Sequence, residues 1–304
     1  GSAYLLYLFG CVGTGDWLAM GIVTVTQAAL LALTLWGIAR SFLKIATATG
    51  SVKKVRFEHK AVRAQSAQRA LFGKELCRFT ASPNYMLNCG LGILMLPVAG
   101  VVLLIKGGAL GQLLEDVFGA NAGVVPVLMC AAVCLLASMN DMAAPSVSLE
   151  GKSLWLAQSL PVVPWQVLRA KLDVQLVLTG APVLFCALCM VIVLPGGALE
   201  KVLTVVVALL YTLLSALAAL AFGLKMPNLT WTNEITPIKQ SGCVMLSLFA
   251  NWFYAIALGG LYFLCGNVLS AAAYLAIFAV VTAAGSALLL RWVKQRGTRI
   301  FAAL

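Results

Sequence analysis

The sequence predicts an all-α fold: a polytopic transmembrane helical bundle of about seven complete spans plus an N-terminal partial span, with short amphipathic cytoplasmic helices. Hydrophobic residues make up 62% of the 304 positions and charged residues only 10%, whereas soluble domains contain about 25% charged residues. Apolar runs recur at helix length, and basic residues lie almost entirely between them. Too few polar residues remain to cover a soluble core, so lipid is expected to surround much of the chain.

Each predicted span is an apolar run close to the about 20 residues that cross about 30 Å of hydrocarbon. Backbone groups in lipid need partners inside a helix or a closed barrel, and these runs lack the period-2 alternation of barrel strands. They are therefore predicted to be helices. The runs are Leu18–Ala39, Met86–Ile105, Ala122–Met139, Leu172–Leu194, Val202–Leu224, Cys243–Leu264 and Val268–Leu290.

The first apolar stretch, Ala3–Val12, is too short to span a bilayer, and no basic segment precedes it as in a signal peptide. We interpret it as the outer end of a helix whose earlier part lies upstream, so the sequence is expected to be the C-terminal piece of a longer protein. Three regions follow from this interpretation. They are the end of a preceding transmembrane region (1–40), a basic cytoplasmic linker with a membrane-surface helix (41–82), and a six-span part (83–304).

The distribution of basic residues predicts the orientation. If the spans alternate in direction, all 21 Lys and Arg residues fall on one side except Lys106 and Lys201. Because basic loops stay in the cytoplasm, the connections at 40–82 and 140–171 and the C-terminus are predicted to be cytoplasmic, in a plasma (inner) membrane. These loops account for the formal charge of +11, and no basic groove with interleaved aromatic residues indicates nucleic-acid binding.

An amphipathic helix is predicted over Gln68–Thr80, just before the second span. Apolar residues recur at helical spacing and charged residues occupy the other faces, which favours a helix lying on the inner membrane surface. Anionic headgroups would attract its cations, at about 1 kcal/mol for each residue near the surface. The residues concerned are Phe72, Lys74, Glu75, Leu76, Arg78 and Phe79. Ser82 and Pro83 are expected to end the helix.

The connection at 140–171 is long for a helical bundle, and its composition is not that of a flexible linker. Pro164 is expected to begin a new helix at its first position. Trp155 and Trp165 favour a docking surface on a structured loop. Alternatively, both are aromatic anchors at the membrane interface.

No residues point to an enzyme. Gly151, Lys152 and Ser153 resemble the end of a phosphate-binding loop, but Ser146 stands where that motif requires glycine, and no strand precedes it. The single histidine, His59, falls in a basic loop, which leaves none at membrane depth for zinc or acyl-transfer chemistry. We therefore predict no catalytic site, no metal site and no cofactor.

The predicted spans also lack an ionisable relay, since their central turns hold no Asp, Glu, Lys, Arg or His. Ion-coupled transporters and pumps usually carry at least one such residue. Asp173, at the inner end of its span, is predicted to pair with the neighbouring Lys171. Cys186 and Cys189 form a C-x-x-C without a second pair or a nearby histidine, and we interpret them as apolar helix residues.

Two stretches of the sequence resemble the type-2 ABC-exporter permeases, the membrane subunits of bacterial ABC exporters. One is similar to the start of the permease membrane domain, and the other to the loop between its second and third spans. The residues that carry the resemblance are Lys74–Arg78, Ser82–Tyr85 and Asn88 in the first stretch, and Leu149–Ser153, Leu160, Pro161 and Lys171 in the second. The resemblance covers roughly Gln68–Leu304, which corresponds to the C-terminal permease half.

The resemblance implies a permease subunit that forms the substrate path, has no ATPase site of its own, and is driven by a separate cytoplasmic ABC ATPase subunit. A first permease half or a second permease copy would complete the transporter. It also implies that the 140–171 loop contains the coupling helix that the ATPase grips. The candidate coupling residues are Leu149, Glu150, Gly151, Lys152 and Trp155. Two alternatives stay open: a non-transport membrane scaffold or assembly protein, and half of an ion-coupled carrier.

Overall fold

The structure is a computed structural model that describes residues 4–46, 65–118, 123–193, 197–266 and 268–304. Within these ranges the regular structure is helical, apart from one isolated bridge between Gly90 and Asn140, which confirms the all-α prediction. The helices are α1 (Tyr4–Gly13), α2 (Trp17–Ala46), α3 (Ala67–Ala81), α4 (Pro83–Cys89), α5 (Leu91–Phe118), α6 (Val124–Ala137), α7 (Ala143–Ser146), α8 (Leu154–Ser159), α9 (Pro164–Val193), α10 (Ala198–Lys225), α11 (Ile235–Lys239), α12 (Gly242–Cys265), α13 (Ala271–Trp292) and α14 (Thr298–Ala303). A 3₁₀ segment (Ser148–Ser153) precedes α8, and a π-helical turn (Val293–Gly297) precedes α14.

Six helical stretches among the described residues are long and apolar enough to cross a membrane. They are Trp17–Phe42, Leu91–Leu110, Pro164–Val193, Ala198–Lys225, Ile235–Cys265 and Ala271–Ala303. These stretches indicate a multi-pass membrane protein. The predicted count of about seven complete spans is not confirmed, because the stretch predicted at Ala122–Met139 forms the shorter helix α6.

Helix α6 has 14 residues, and at 1.5 Å per residue it is about 21 Å long, less than the about 30 Å of hydrocarbon. It packs against α5, α9, α10, α12 and α13, and most of its residues are buried. One side of α6, with Ala132 and Leu135, is exposed, and the rest of the helix packs on protein. Packing on five neighbouring helices therefore stabilises α6 although it is shorter than a full crossing.

The described residues belong to two compact units, Gly1–Arg63 and Ala64–Leu304. In the first unit, α1 and α2 are joined by a turn in which Gly15 has a positive φ of 84°. Asp16 caps α2, because its carboxylate accepts a hydrogen bond of 2.9 Å from the Leu18 N–H. Much of the predicted basic linker, including His59, lies outside the described residues.

In the second unit, α9 packs against α5 and α10, and α10 packs against α13. Small residues permit close approach between helices: a Cβ atom at Gly100 of α5 would lie 3.3 Å from the Cα of Cys186 on α9. Both α3 and the short C-terminal helix α14 also contact α9. Helix α9 is therefore the element to which the peripheral helices of the unit are attached.

At the start of the second unit, the helices follow one another in the predicted order. Helix α3 covers the predicted surface helix, and Ser82 ends it and caps α4, its hydroxyl accepting a 3.3 Å hydrogen bond from the Tyr85 N–H. Helix α5 begins at Leu91 and continues to Phe118, through most of the connection between the predicted spans that end at Ile105 and begin at Ala122. The continuation has a local cause, since the residues after Gly108 are mainly good helix formers such as Ala, Leu, Gln and Glu.

Candidate functional site

The connection between α6 and α9 has a buried part and an exposed part. Every residue from Asn140 to Gly151 is buried, and we call this stretch the buried segment. It contains α7 and leads through the 3₁₀ turn into α8, which has an exposed face. A polar stretch buried over this length requires partners for its backbone and side chains. Those partners come from α3, α4, α9 and the connection after α10.

Glu150 lies at the centre of an ion-pair network. Its side chain is 1% exposed, and its Oε1 atom accepts a 2.7 Å hydrogen bond from Lys171 Nζ. Arg78 Nη2 donates to the other oxygen at 2.7 Å, and Lys74 Nζ lies 3.0 Å from Oε1. Three cations therefore surround one buried carboxylate.

Glu75 is the second acid of the same network. Its carboxylate lies 3.0 Å from Lys171 Nζ and 3.3 Å from Arg78 Nη1. The Lys171 side chain is 0% exposed, and its third hydrogen bond, at 3.0 Å, goes to the carbonyl oxygen of Ser146. All three protons of the ammonium group are thus matched by acceptors. The ion-pair network of Lys74, Glu75, Arg78, Glu150 and Lys171 connects α3, the buried segment and α9.

The electrostatics of Glu150 follow from this geometry. Burial raises the pKa of the Glu150 carboxyl, but Lys171 and Arg78 oppose that effect and leave the pKa well below its usual range. For Arg78 the signs are reversed: burial lowers the pKa of the guanidinium group, whereas the hydrogen bond to Glu150 and the charge of Glu75 raise it. The raising effects together are larger, so the net shift of the Arg78 pKa is upward. Both groups are therefore ionised at neutral pH. Removing one partner from such a buried arrangement typically costs about 3–5 kcal/mol, because the other charges stay behind without compensation.

Side-chain hydrogen bonds hold the first half of the buried segment. The amide of Gln175 on α9 accepts from the Ala143 N–H at 2.7 Å and donates to the Asn140 carbonyl at 3.1 Å. The hydroxyl of Tyr85 on α4 donates to the Met142 carbonyl at 2.6 Å. These bonds replace the secondary-structure partners that an irregular buried backbone lacks.

Trp231 holds the second half, close to Glu150. Its indole N–H donates to the Ser148 carbonyl at 2.6 Å, and the Ser148 hydroxyl accepts from the Asn228 N–H at 2.9 Å. Gly151 has a φ of +51°, and a Cβ at this position would lie 3.2 Å from the Trp231 indole nitrogen. Glycine is therefore required here both by the backbone conformation and by the adjacent ring.

Helix α8 has apolar residues both on its buried side and on its exposed side. Leu154 and Ala157 are buried in the core that includes Leu168 of α9. On the other side Trp155 is 66% exposed and Leu156 is also exposed. Together with the exposed Lys152, these two residues form what we call the α8 face. Gln158 ties the helix to α14 by donating a 2.8 Å hydrogen bond to the Phe301 carbonyl.

The five candidate coupling residues do not share one surface. Leu149, Glu150 and Gly151 are buried, while Lys152 and Trp155 are exposed. A partner can therefore touch the α8 face but not the Glu150 side chain. The buried residues instead connect that face to the helices.

The predicted surface helix α3 is built differently from the expectation. Leu71, Glu75 and Phe79 are its buried residues, and its Phe72 and Leu76 pack on a core cluster of the protein. Lys74 and Arg78, expected to face headgroups, contact Glu150. The apolar residues of α3 therefore pack on protein, and its Lys74, Glu75 and Arg78 enter the ion-pair network.

The predicted pair of Lys171 with Asp173 is wrong. Residues two apart on a helix point to different faces, and Lys171 contacts Glu75 and Glu150 instead. Asp173 lies 3.5 Å from Arg169, its neighbour four positions earlier, and accepts a 3.2 Å hydrogen bond from Gln68. The i, i+4 spacing of Arg169 and Asp173 is a signal that the sequence analysis did not use.

No protein-family model matches the chain, and neither a curated protein nor a solved structure matches it. Among the residues that the structure describes, no group of three or more His, Cys, Asp and Glu side chains is arranged to hold a metal ion. Cys186 and Cys189 are buried free thiols on α9. The fold and the site therefore define a class only: an all-helical, multi-pass membrane protein with an ion-paired segment buried at one end of its second unit.

Proposed function

We propose that the chain is the membrane-spanning permease subunit of an ABC-type exporter, forming the substrate path and driven by a separate cytoplasmic ATPase. The observation that carries the proposal is the connection of the α8 face to α3 and α9 through buried ion pairs. A subunit driven from outside needs a contact surface and a stiff link from that surface to its membrane helices. The α8 face and the ion-pair network meet these two needs.

The stiffness of the link comes from its burial. Glu150 lies four residues before Leu154, the first residue of α8, and its carboxylate contacts two other elements. Buried charges have few alternative partners, since each unpaired charge would carry a large desolvation cost. A displacement of α8 is therefore transmitted to α9 and α3 rather than absorbed within the loop.

The α8 face also has the chemistry of an interface centre. Tryptophan is enriched among interface residues whose truncation costs 2 kcal/mol or more, and Trp155 is largely exposed. The exposed Lys152 would act mainly on orientation and association rate. An acidic or apolar cleft on the ATPase is the matching surface. A first permease half or a second copy of the chain would complete the transporter.

The direct test is co-purification of the chain with any cytoplasmic ABC ATPase that is encoded beside its gene. Trp155→Ala should reduce the recovered ATPase at least tenfold, about 1.4 kcal/mol, while the amount of inserted chain stays constant. Trp17→Ala is the matched control, because Trp17 is also exposed but lies in the first unit. It should leave recovery unchanged.

The remaining outcomes separate the alternatives. Loss of the ATPase with Trp165→Ala but not with Trp155→Ala would place the docking surface at the start of α9. Full recovery of the ATPase with both variants would contradict a coupling role for this connection. It would favour the interpretation of both tryptophans as membrane-interface anchors, and with it a scaffold function.

A further inference from the structure

A second acid of the buried segment, Asp141, has surroundings opposite to those of Glu150. It lies between α6 and α7 and is 4% exposed, and its backbone N–H donates a 3.1 Å hydrogen bond to the Cys89 carbonyl. Neither carboxyl oxygen has a partner with full hydrogen-bond geometry among the described residues, although the Ser247 hydroxyl and the Ala144 N–H act on the carboxyl group as weak donors. The group is therefore buried and held by its backbone, while its side chain is only weakly satisfied.

Asp141 has no compensating cation among the described residues. Within the described part of the chain, no Lys or Arg nitrogen lies within ion-pair distance of its carboxyl group, whereas three cations contact Glu150. An isolated carboxylate in a medium of low dielectric constant is strongly disfavoured, and such a group takes up a proton instead. The two acids of one segment are thus placed for opposite charge states.

Other unsatisfied polar atoms lie on the elements around this carboxyl group. Ser247, whose hydroxyl faces Asp141, and Asn251 are one turn apart on α12, and both are buried with a side-chain atom lacking a partner. The side chain of Asn140 lacks partners at both its oxygen and its nitrogen. Thr179 on α9, one turn beyond Gln175, is likewise unsatisfied and buried. Two of the helices that pack against α7, namely α9 and α12, therefore each carry further buried polar atoms for which the described residues supply no partner.

Within the described residues, the titratable groups that interact electrostatically with Asp141 are neutral side chains. They are Tyr85 and Cys89 on α4, Tyr211 on α10 and Cys243 on α12. Burial raises the pKa of Tyr85 and of Cys89 above their ordinary values, so neither supplies a charge at neutral pH. Burial also raises the pKa of the Asp141 carboxyl to about 7, against smaller opposing effects of the Ser247 hydroxyl and the Ala144 N–H.

We propose that Asp141 is a proton-binding site, whose carboxyl group carries a proton in the arrangement described here and releases it when the buried segment moves away from α12. On release the O–H bond breaks, the electron pair stays on the carboxylate, and water that reaches the opened site accepts the proton. A proton requires no additional volume, whereas a metal ion would need several oxygen ligands at bonding distance.

The site links protonation to the segment that carries the α8 face. Asp141 and Glu150 belong to the same buried stretch, and Gln175 anchors that stretch to α9 next to Asp141. Any movement that hydrates Asp141 must therefore strain or break the hydrogen bonds around it. This inference does not depend on an ATPase partner, and its test distinguishes the two proposals.

The test is infrared spectroscopy of the full chain in lipid nanodiscs, titrated between about pH 5 and about pH 9. The expected result is a carbonyl band of a protonated carboxylic acid at the acidic end, lost with a midpoint near neutral pH. Asp141→Asn should lack this band. Asp173→Asn, which removes a carboxyl group paired with Arg169, should retain it.

Three results would overturn the proposal. The first is a band that Asp141→Asn leaves unchanged. The second is a chain with no protonated carboxyl group at about pH 5, where ordinary acids are already ionised. The third is a midpoint that moves with NaCl but not with choline chloride, which would make a metal ion the ligand. If Asp141→Asn fails to insert, Asp141→Glu is the second variant, because it keeps a carboxyl group and should shift the carbonyl band. An unshifted band would assign the protonated carboxyl group to a different residue.

Discussion

Lys171 and Glu150 are 21 residues apart in the sequence, yet the lysine Nζ lies 2.7 Å from a carboxyl oxygen of the glutamate, with both side chains buried. The same ammonium group contacts Glu75 at 3.0 Å. One side chain of α9 thus holds both the buried segment and α3. The stability of the second unit should be more sensitive to this pair than to an ion pair on its surface.

Lys171→Met should destabilise the chain by about 3–5 kcal/mol, since two buried carboxylates would remain with less compensation. Arg169→Met is the matched control: it removes a cation two positions earlier that is mostly exposed and pairs with Asp173, and should cost at most about 1 kcal/mol. Unfolding in a mixed detergent–denaturant titration measures both. Equal losses for the two variants would mean that the buried network does not hold the segment.

Acid should weaken the same network. The folded-state pKa of Glu150 lies well below its ordinary 4.5, so its stabilising contribution is present above about pH 4.5 and is lost as the pH falls toward the folded-state value. Unfolding free energies should therefore decrease as the pH is lowered from about 4.5 to about 2.5. Glu150→Gln should flatten this part of the profile. An unchanged acid limb in Glu150→Gln would assign the titration to a different carboxyl group.

Asp141 should have the opposite effect in a separate pH window. Its pKa is raised from 3.8 to about 7 in the folded chain, so the folded state binds the extra proton between these values. Stability should then fall as the pH rises from about 4 to about 7, by up to about 4 kcal/mol, and level off above that. Asp141→Asn should remove the decline and be more stable than the parent at about pH 8. A parent profile that rises over this window would contradict the prediction.

Gly151 should resist substitution more strongly than other glycines. An alanine there would be forced into a positive φ and against the Trp231 ring, at a cost of about 1–3 kcal/mol. Gly180→Ala is the control, since Gly180 lies within helix α9 and a Cβ there meets no atom within 4 Å. That substitution should be neutral or stabilising by about 0.5–1 kcal/mol. Thermal unfolding of the two variants decides whether the turn at Gly151 is needed.

The bounds of the membrane helices were predicted well where the hydropathy of the helix alone determines them. The predicted span Cys243–Leu264 corresponds to α12, which runs from Gly242 to Cys265. The start of α9 at Pro164 was also predicted, because the proline ring favours the first helical position. Hydropathy and local stereochemistry are properties of neighbouring residues, and a single sequence records them directly.

The candidate site could not be predicted in the same way, because its contacts join distant segments. Nothing local to Glu150 indicates that Lys171 and Arg78 will surround it, so it was interpreted as an exposed coupling residue. Asp141 was missed since it falls just outside the predicted span Ala122–Met139, in a connection where an acidic residue is ordinary. The short length of α6 could not be predicted either, because the helices that pack on it come from distant parts of the sequence.

The orientation of the second unit gives the last prediction. Helix α9 has 30 residues, about 45 Å at 1.5 Å per residue, so its two ends should lie on opposite sides of about 30 Å of hydrocarbon. We expect the Lys152 end to lie in the cytoplasm, because basic residues are in excess there. A cysteine at Ala198, which is exposed just beyond the other end of α9, should react with a membrane-impermeant maleimide in intact cells. A cysteine at Lys152 should react only after permeabilisation.

Serine replacement is needed only at the three native cysteines that are not buried, Cys11, Cys77 and Cys265. Labelling of both positions in intact cells would contradict a spanning α9, and the reverse pattern would invert the topology and remove the α8 face from the reach of a cytoplasmic ATPase.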